Sequence, residues 1–390
     1  MPVNIDPDRQ RQAREYARRR QRLLLLELVL GGLYLLAWLL SGVSTGLKGL
    51  LLQVTSLPPL LVALYAAVFG AGYELLLAPL SFYGGYVLPR RYGLSTQNRR
   101  AWLGDQLKAA ALGGVLGLAV LEVVYALLAT FPGTWWLWAA VFLILGTVVL
   151  ANLSPVLIVP LFYKFTPLED SELARRLAAL AERAGTRVRG VFTINLSSKT
   201  TAANAALMGW GNTRRIVLGD TLLAHYTPDE IETVLAHELA HHVHGDIWQL
   251  MAVQSLLLLG GLFLADRFLA WGVAHFAFQG PADVAAMPLL ALALALFGLV
   301  TMPLANAYSR WRESAADDYA LRATGKAEAF HSAMTRLANQ NLAELAPAGW
   351  NCSCTIIRPL ASGWPAPRVS GVSGQPRPRS SKEDKACHQS

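Results

Sequence analysis

The sequence predicts a mainly α, polytopic membrane protein: six transmembrane helices and a smaller α+β domain on the cytoplasmic side. Three observations predict it. Of 390 residues 54% are hydrophobic and only 15% charged, against roughly 25% charged in soluble domains, and the mean hydropathy is +0.36. Six apolar runs are each about as long as the roughly 20 helical residues that cross a hydrocarbon core about 30 Å thick. One stretch, residues 162–246, breaks this character with polar, shorter-period segments. The net charge of +8 comes from 34 basic and 26 acidic residues, and the basic ones cluster beside apolar runs as orientation signals do, so nucleic acid is not an expected partner. Cys352, Cys354 and Cys387 all fall near the C-terminal end, so no disulfide framework or thiol site underpins the rest.

The runs are residues 23–41, 60–88, 109–130, 135–161, 247–265 and 285–305. The first follows Arg18, Arg19, Arg20 and Arg22, but its apolar stretch is too long for a secretory signal and no A-x-A-like cleavage site follows, so it is a retained span. Arg90, Arg91, Arg99, Arg100 and Lys108 fill the second connection, whereas the alternate ones hold only Lys48 and the adjacent Asp266 and Arg267. By the positive-inside rule an even number of spans puts both ends and the 162–246 stretch in the cytoplasm. Glu27, Glu74 and Glu122 lie within the spans. An ionised side chain facing lipid costs at least about 2.5 kcal/mol, so these carboxylates are expected to face inward, Glu27 with an alternative as a snorkelling residue near a helix end.

The cytoplasmic stretch opens with a helix over residues 171–184, apolar at helical spacing and ended by Gly185. Short β-like runs follow at 188–195 and 215–218, with a weaker one at 205–210. Thr227-Pro228-Asp229-Glu230 then supplies a hydroxyl cap, Pro at the first helical position and Glu three residues after the cap. A helix is therefore expected from Pro228 to at least His244.

That helix carries His237-Glu238-Leu239-Ala240-His241. A spacing of four sets both imidazoles on one face, one turn apart, where they can grip one zinc ion with Glu238 beside a bound water. The alternative, a solvated His/Glu face, conflicts with the apolar flanks Val234, Leu235, Ala236, Leu239 and Ala240. Catalytic zinc usually takes three protein ligands plus water. His244 shares the face but lies about 10 Å along the axis from His237 at 1.5 Å per residue, so His242 and His244 are read as polar residues at the helix end. Metzincins need Gly at 244 and His at 247; His244 and Ile247 exclude that subclass. Glu313 is the better third ligand, because two membrane passes return the chain to the face it left. Asp317, one turn later, shares its face and can accept a hydrogen bond from the outer nitrogen of a ligand histidine. The competing reading is a solvated i,i+4 acidic pair beside Arg310 and Arg312.

With these residues in place the chain resembles the integral-membrane zinc metalloendopeptidases of the CAAX prenyl protease (type 1) family, over about residues 75–345. The resemblance rests on Leu88-Pro89-Arg90-Arg91-Tyr92-Gly93-Leu94-Ser95, Gly104-Asp105-Gln106-Leu107-Lys108, residues 198–222, the histidine motif and residues 309–317. The HtpX-like membrane proteases share the zinc motif but have fewer spans before it. The resemblance implies spans arranged around an intramembrane chamber, one Zn2+ per chain on His237, His241 and Glu313, and Asp317 behind a ligand. It also implies that Asn204 and Ala205 belong to an edge segment against which a substrate peptide pairs as an added strand. For Asn204 a turn residue before a strand is the equal alternative.

The expected activity is hydrolysis of membrane-associated or prenylated CAAX-type peptides by zinc-activated water, with Glu238 as general base. The alternatives are an HtpX-like quality-control protease, or a catalytically inactive zinc-binding membrane protein whose site is closed by four protein ligands. Arginine exceeds lysine, pointing to a GC-rich bacterium and its inner membrane, with the endoplasmic reticulum second. The expected organisation is a basic N-terminus (1–22), a four-helix membrane region (23–161), the peptidase domain (162–246), a membrane hairpin (247–305), the peptidase continuation (306–348) and a disordered tail (349–390). The resemblance is expected to stop near Trp350. Codons for residues 350–359 can be chosen so that reading one base earlier gives x-Glu-Leu-Leu-Leu-Tyr-Asp-His-Pro-Pro, an apolar stretch and His-Pro as in the family, so a frameshift near residues 345–350 is expected. Cys352-x-Cys354 is then accidental. Cys387-His388-Gln389-Ser390 lacks the aliphatic pair of a prenylation signal.

Overall fold

The computed structural model describes residues 4–168, 171–209 and 214–344; the expected tail lies outside them. The chain forms two compact units. One is Met1–Ala17, Tyr163–Ile247 and Met302–Ser390, the other Arg18–Phe162 and Trp248–Thr301.

The second unit is helical because its sequence offers apolar side chains on every face. Its elements are α2 (Val43–Leu52), α3 (Pro58–Phe82), α4 (Leu88–Arg91), α5 (Arg99–Thr130), α6 (Trp135–Leu153), and the parts of α1 (Pro7–Leu40), α10 (Asp246–His275) and α11 (Met287–Thr324) that fall within it. A π turn over Tyr83–Val87 joins α3 to α4, and further π and 3-10 turns carry α6 on to Leu161. Six stretches among the described residues are long and apolar enough to cross a membrane, one for each expected span. Three details differ. Arg99, Arg100 and Lys108 open α5 instead of lying in a loop, because Asn98 caps the helix by accepting from the Ala101 amide. Val43–Leu52 makes a separate apolar helix too short to span. Asp266 and Arg267 lie inside α10, where the carboxylate is buried by accepting from Trp135 Nε1 at 2.7 Å and pairing with Arg267.

Close helix approach needs small residues. A Cβ on Gly72 would come 2.7 Å from Tyr34 Oη, and the Tyr34 hydroxyl donates to the Phe69 carbonyl at 2.6 Å. The core of this unit gathers Tyr65, Leu128, Trp135, Leu269 and Leu289. Glu122 lines a cavity of about 580 Å³ with Lys48, Tyr125 and Asp283, as expected of an inward carboxylate, while Glu27 is half-buried and Glu74 exposed.

The other unit is built on a four-stranded sheet in the order β1-β2-β4-β3, comprising β1 (Phe165–Pro167), β2 (Val191–Ile194), β3 (Ala205–Met208) and β4 (Arg215–Gly219). β2 and β4 run parallel, the outer pairs antiparallel. Helices α7 (Glu172–Arg183), α8 (Asp220–His225), α9 (Pro228–Val243) and α12 (Ala327–Gln340) complete it with the end of α11. Ile216 and Leu218 of β4 meet Leu177, Ile231, Leu235, Leu239, Ala320 and Phe330 in one core. The expected capping box forms: Thr227 Oγ1 accepts from the Glu230 amide, and Glu230 accepts from the Thr227 amide. Arg176 and Lys326 both pair with Asp229 and Glu232, tying α7, α9 and the start of α12 together.

Candidate metal centre

Helix α9 is anchored by full burial of Leu235, Ala236, Leu239 and Ala240. Its half-buried His237, Glu238 and His241 occupy the remaining face. The imidazoles of His237 and His241 sit 5.1 Å apart, nearly perpendicular. Helix α11 brings Glu313 onto them: His237 Nε2 lies 3.2 Å from Glu313 Oε2, and His241 Nε2 lies 3.8 Å from Glu313 Oε1. Donor atoms of the three residues fall within 4.8 Å of one another.

This arrangement fits a zinc ion. Ligands at 2.0–2.2 Å in tetrahedral geometry are separated by about 3.3–3.5 Å, and the two nitrogen–oxygen distances bracket that value. The opposite ring nitrogens are also committed. His237 Nδ1 lies 3.0 Å from Asp317 Oδ1, and His241 Nδ1 lies 2.8 Å from Asp246 Oδ2. A carboxylate can only accept, so each Nδ1 carries the proton and each Nε2 keeps a lone pair toward Glu313 in the neutral ring.

Burial alone disfavours a charged His237, yet hydrogen bonds from its ring to Asp317 and Glu313 outweigh it and push the metal-free imidazole up to about 10. Burial raises the Glu238 carboxyl, partly offset by the two histidines and reinforced by Glu313. A raised carboxyl beside the cluster is a suitable proton carrier. His242 and His244 stand outside the cluster. Burial, with Arg214 nearby, pushes His242 down, and His244 sets its ring edge-on to Tyr319 at 5.6 Å.

Asn204 is exposed, and its carbonyl accepts from the Gly219 amide at 2.9 Å as the chain enters β3 at the buried Ala205. β3 is one of the two edge strands of the sheet, β1 being the other, and packs on α9. Asn341, just after α12, grips the residue before Asn204: it accepts from the Ala203 amide at 2.9 Å and donates to the Ala203 carbonyl at 3.0 Å. Sequence reasoning missed Asn341, Asp246 and Arg312 as site residues. For Asp246 a signal existed, an acid following Gly245 at the end of the histidine helix.

Comparisons with known proteins place these features in one class. The CAAX prenyl protease N-terminal region, described as five membrane helices, matches residues 3–164. Peptidase family M48 matches residues 167–373. Together the matches begin well before residue 75 and run past residue 350, where the resemblance was expected to end. Four long helices plus the short α2 and α4 occupy the first region. An uncharacterized metalloprotease, YhfN, of Bacillus subtilis is 30% identical over 79% of this chain and 73% of its own length. CAAX prenyl protease 1 of Saccharomyces cerevisiae is 36% identical over 42% of this chain and 36% of its own. An Arabidopsis thaliana homologue of that enzyme is 31% identical over 68% and 63%. The crystal structure of Ste24p from S. mikatae shares the fold, with a TM-score of 0.78 over 92% of this chain and 89% of that one at 24% identity. Fold, donor cluster and relatives define a multi-pass membrane metalloprotease. The chain belongs to peptidase family M48, and its N-terminal part matches the CAAX prenyl protease N-terminal region.

Proposed function

We propose that the chain is a membrane-embedded zinc metalloendopeptidase acting on membrane-associated peptides, prenylated CAAX-type peptides among them, with its active site on the cytoplasmic side of a bacterial inner membrane. The observation that carries the reading is the cluster of His237, His241 and Glu313, in which both histidines turn Nε2 inward while carboxylates hold Nδ1. Four protein ligands would make a closed structural site; among the described residues three form the group, which favours catalysis over the purely zinc-binding alternative.

Bound there, zinc supplies Lewis acidity, acidifying water and polarising a peptide carbonyl. The chain's own residues do the rest. Glu238, with its carboxyl raised, takes a proton from the attacking water and returns it to the leaving amine. Asp317 keeps His237 oriented. β3, with Asn204 and Ala205 at its entry, offers main-chain groups to an extended substrate, so affinity depends little on side-chain identity. The substrate class is supported by the relatives named CAAX prenyl protease 1, and the sidedness by the arginines clustered in the first half of α1, in α4 and at the start of α5.

The test is cleavage of a farnesylated CAAX peptide, and of the same peptide without the lipid, by purified chain and by Glu238→Gln. The variant is expected to bind one zinc per chain as the parent does and to lose at least about a hundredfold in rate. Parent-like cleavage by Glu238→Gln refutes the mechanism. Equal cleavage of the lipid-free peptide refutes the prenyl preference and favours a quality-control role.

A further inference from the structure

The two inward-facing histidines are served differently. Asp317 comes from α11, the helix that also carries Glu313. The partner of His241 is Asp246, the first residue of α10, which belongs to neither ligand-bearing helix. It reaches back because Gly245 adopts a φ of +67, a left-handed turn in the two-residue connection between Val243, the end of α9, and Asp246, the start of α10. Asp246 is buried, at 8% exposure, and a buried carboxylate needs compensation. The first turn of a helix provides part of it. The remainder comes from Arg312, whose guanidinium pairs with the other carboxylate oxygen and is itself only 12% exposed. Arg312 directly precedes Glu313 in the chain.

We propose that Asp246 and Arg312 are a positioning pair for the metal centre: Asp246 fixes the tautomer and orientation of His241, and Arg312 locks that carboxylate to the turn of α11 that presents Glu313. A single ion pair thereby joins the second histidine ligand to the carboxylate ligand. An ion pair that merely sealed the α9–α10 corner would have no need to spend one oxygen on His241 Nδ1. This inference rests on the reading that His237, His241 and Glu313 bind zinc.

The experiment uses the full-length chain in detergent or nanodiscs. Zinc affinity is measured by competition with a chromophoric chelator, the thermal midpoint is taken without metal, and the absorption spectrum is recorded with cobalt(II) in place of zinc. Asp246→Asn preserves size but removes the charge. It is expected to weaken zinc binding about ten- to hundredfold and to alter the cobalt spectrum, a change at the metal that a lowered metal-free midpoint from the unpaired Arg312 does not by itself produce. Arg312→Gln should do the same, and Arg312→Lys should recover most of the affinity. Because the two act as a unit, the double variant should be little worse than the poorer single one. If Asp246→Asn does not fold, the contrast between Arg312→Gln and Arg312→Lys carries the test alone. Zinc affinities of Asp246→Asn and Arg312→Gln within about twofold of the parent, while His241→Ala loses binding, would overturn the pair and leave the zinc site standing. A parent chain that binds no zinc overturns both.

Discussion

At the scale of single residues the centre is a competition between burial and hydrogen bonding, and His237 shows which wins. Burial by itself favours the neutral ring, but Asp317 and Glu313 on its two nitrogens hold the proton up to about 10 in the metal-free chain, against an ordinary value of 6.5. A histidine whose folded value is raised stabilises the folded state fully below its unfolded value and loses that contribution as pH rises through the folded one. The metal-free protein is therefore expected to be most favoured by this group below about pH 6.5, and to lose its contribution as pH climbs toward about 10. A metal ligand must be deprotonated, so zinc binding at pH 8 should expel about one proton. Calorimetry in buffers of different ionisation enthalpy measures this, and binding with no proton release contradicts the charge state assigned to His237. Asp317→Asn removes one of the two carboxylates that retain the proton; proton release should shrink and zinc affinity should fall in the same variant.

At the scale of elements, the substrate strand depends on how firmly β3 is held. Two hydrogen bonds from Asn341 hold the main chain of Ala203, immediately before the proposed pairing segment, and Gln340 donates to the Thr201 carbonyl at 2.7 Å. Removing the Asn341 bonds forfeits about 0.5–1.5 kcal/mol each. Asn341→Ala is accordingly expected to lower kcat/KM about tenfold, mainly through KM, with zinc content unchanged; steady-state kinetics on a cleavable peptide reads the split, and an unaltered KM argues against β3 as the docking edge. The same elements show what a sequence discloses. Helix α9 was legible from its start, since Thr227, Pro228 and Glu230 are local start signals and the two histidines repeat at helical spacing, but it ends at Val243, short of the expected His244, which serves as its C-cap. The strand entered at Ala205 was only weakly marked, and β1 escaped notice because three residues ending in Pro167 carry no alternation. Asp246 was missed for another reason: beyond the acid following Gly245, its contact with His241 depends on the sign of one backbone angle at Gly245, which hydrophobic spacing does not encode. Asn341 meets Ala203 across 138 positions, a pairing that only the packed sheet and helices create.

At the scale of the whole molecule, the chain has two hydrophobic cores, one centred on residues such as Tyr65, Trp135 and Leu269 and the other on Ile216, Leu235 and Phe330. All three proposed ligands, with Asp246 and Asp317, belong to the unit that holds the second core. Anything that binds the folded state alone stabilises it by mass action, about 2.7 kcal/mol when the free ligand is a hundredfold above its dissociation constant. Stripping the metal should therefore loosen one core selectively, because separate cores can open as separate cooperative units. Hydrogen exchange on the parent chain, with zinc and after chelation, is expected to show faster exchange in α7, α9 and α12, whose apolar faces meet around Leu235, and little change in α5 and α6. His241→Ala should exchange like the chelated parent whether or not zinc is present. A uniform acceleration across both units would mean that the centre stabilises the molecule as one cooperative block, and protection unchanged by chelation would mean that the ion contributes nothing to folding stability.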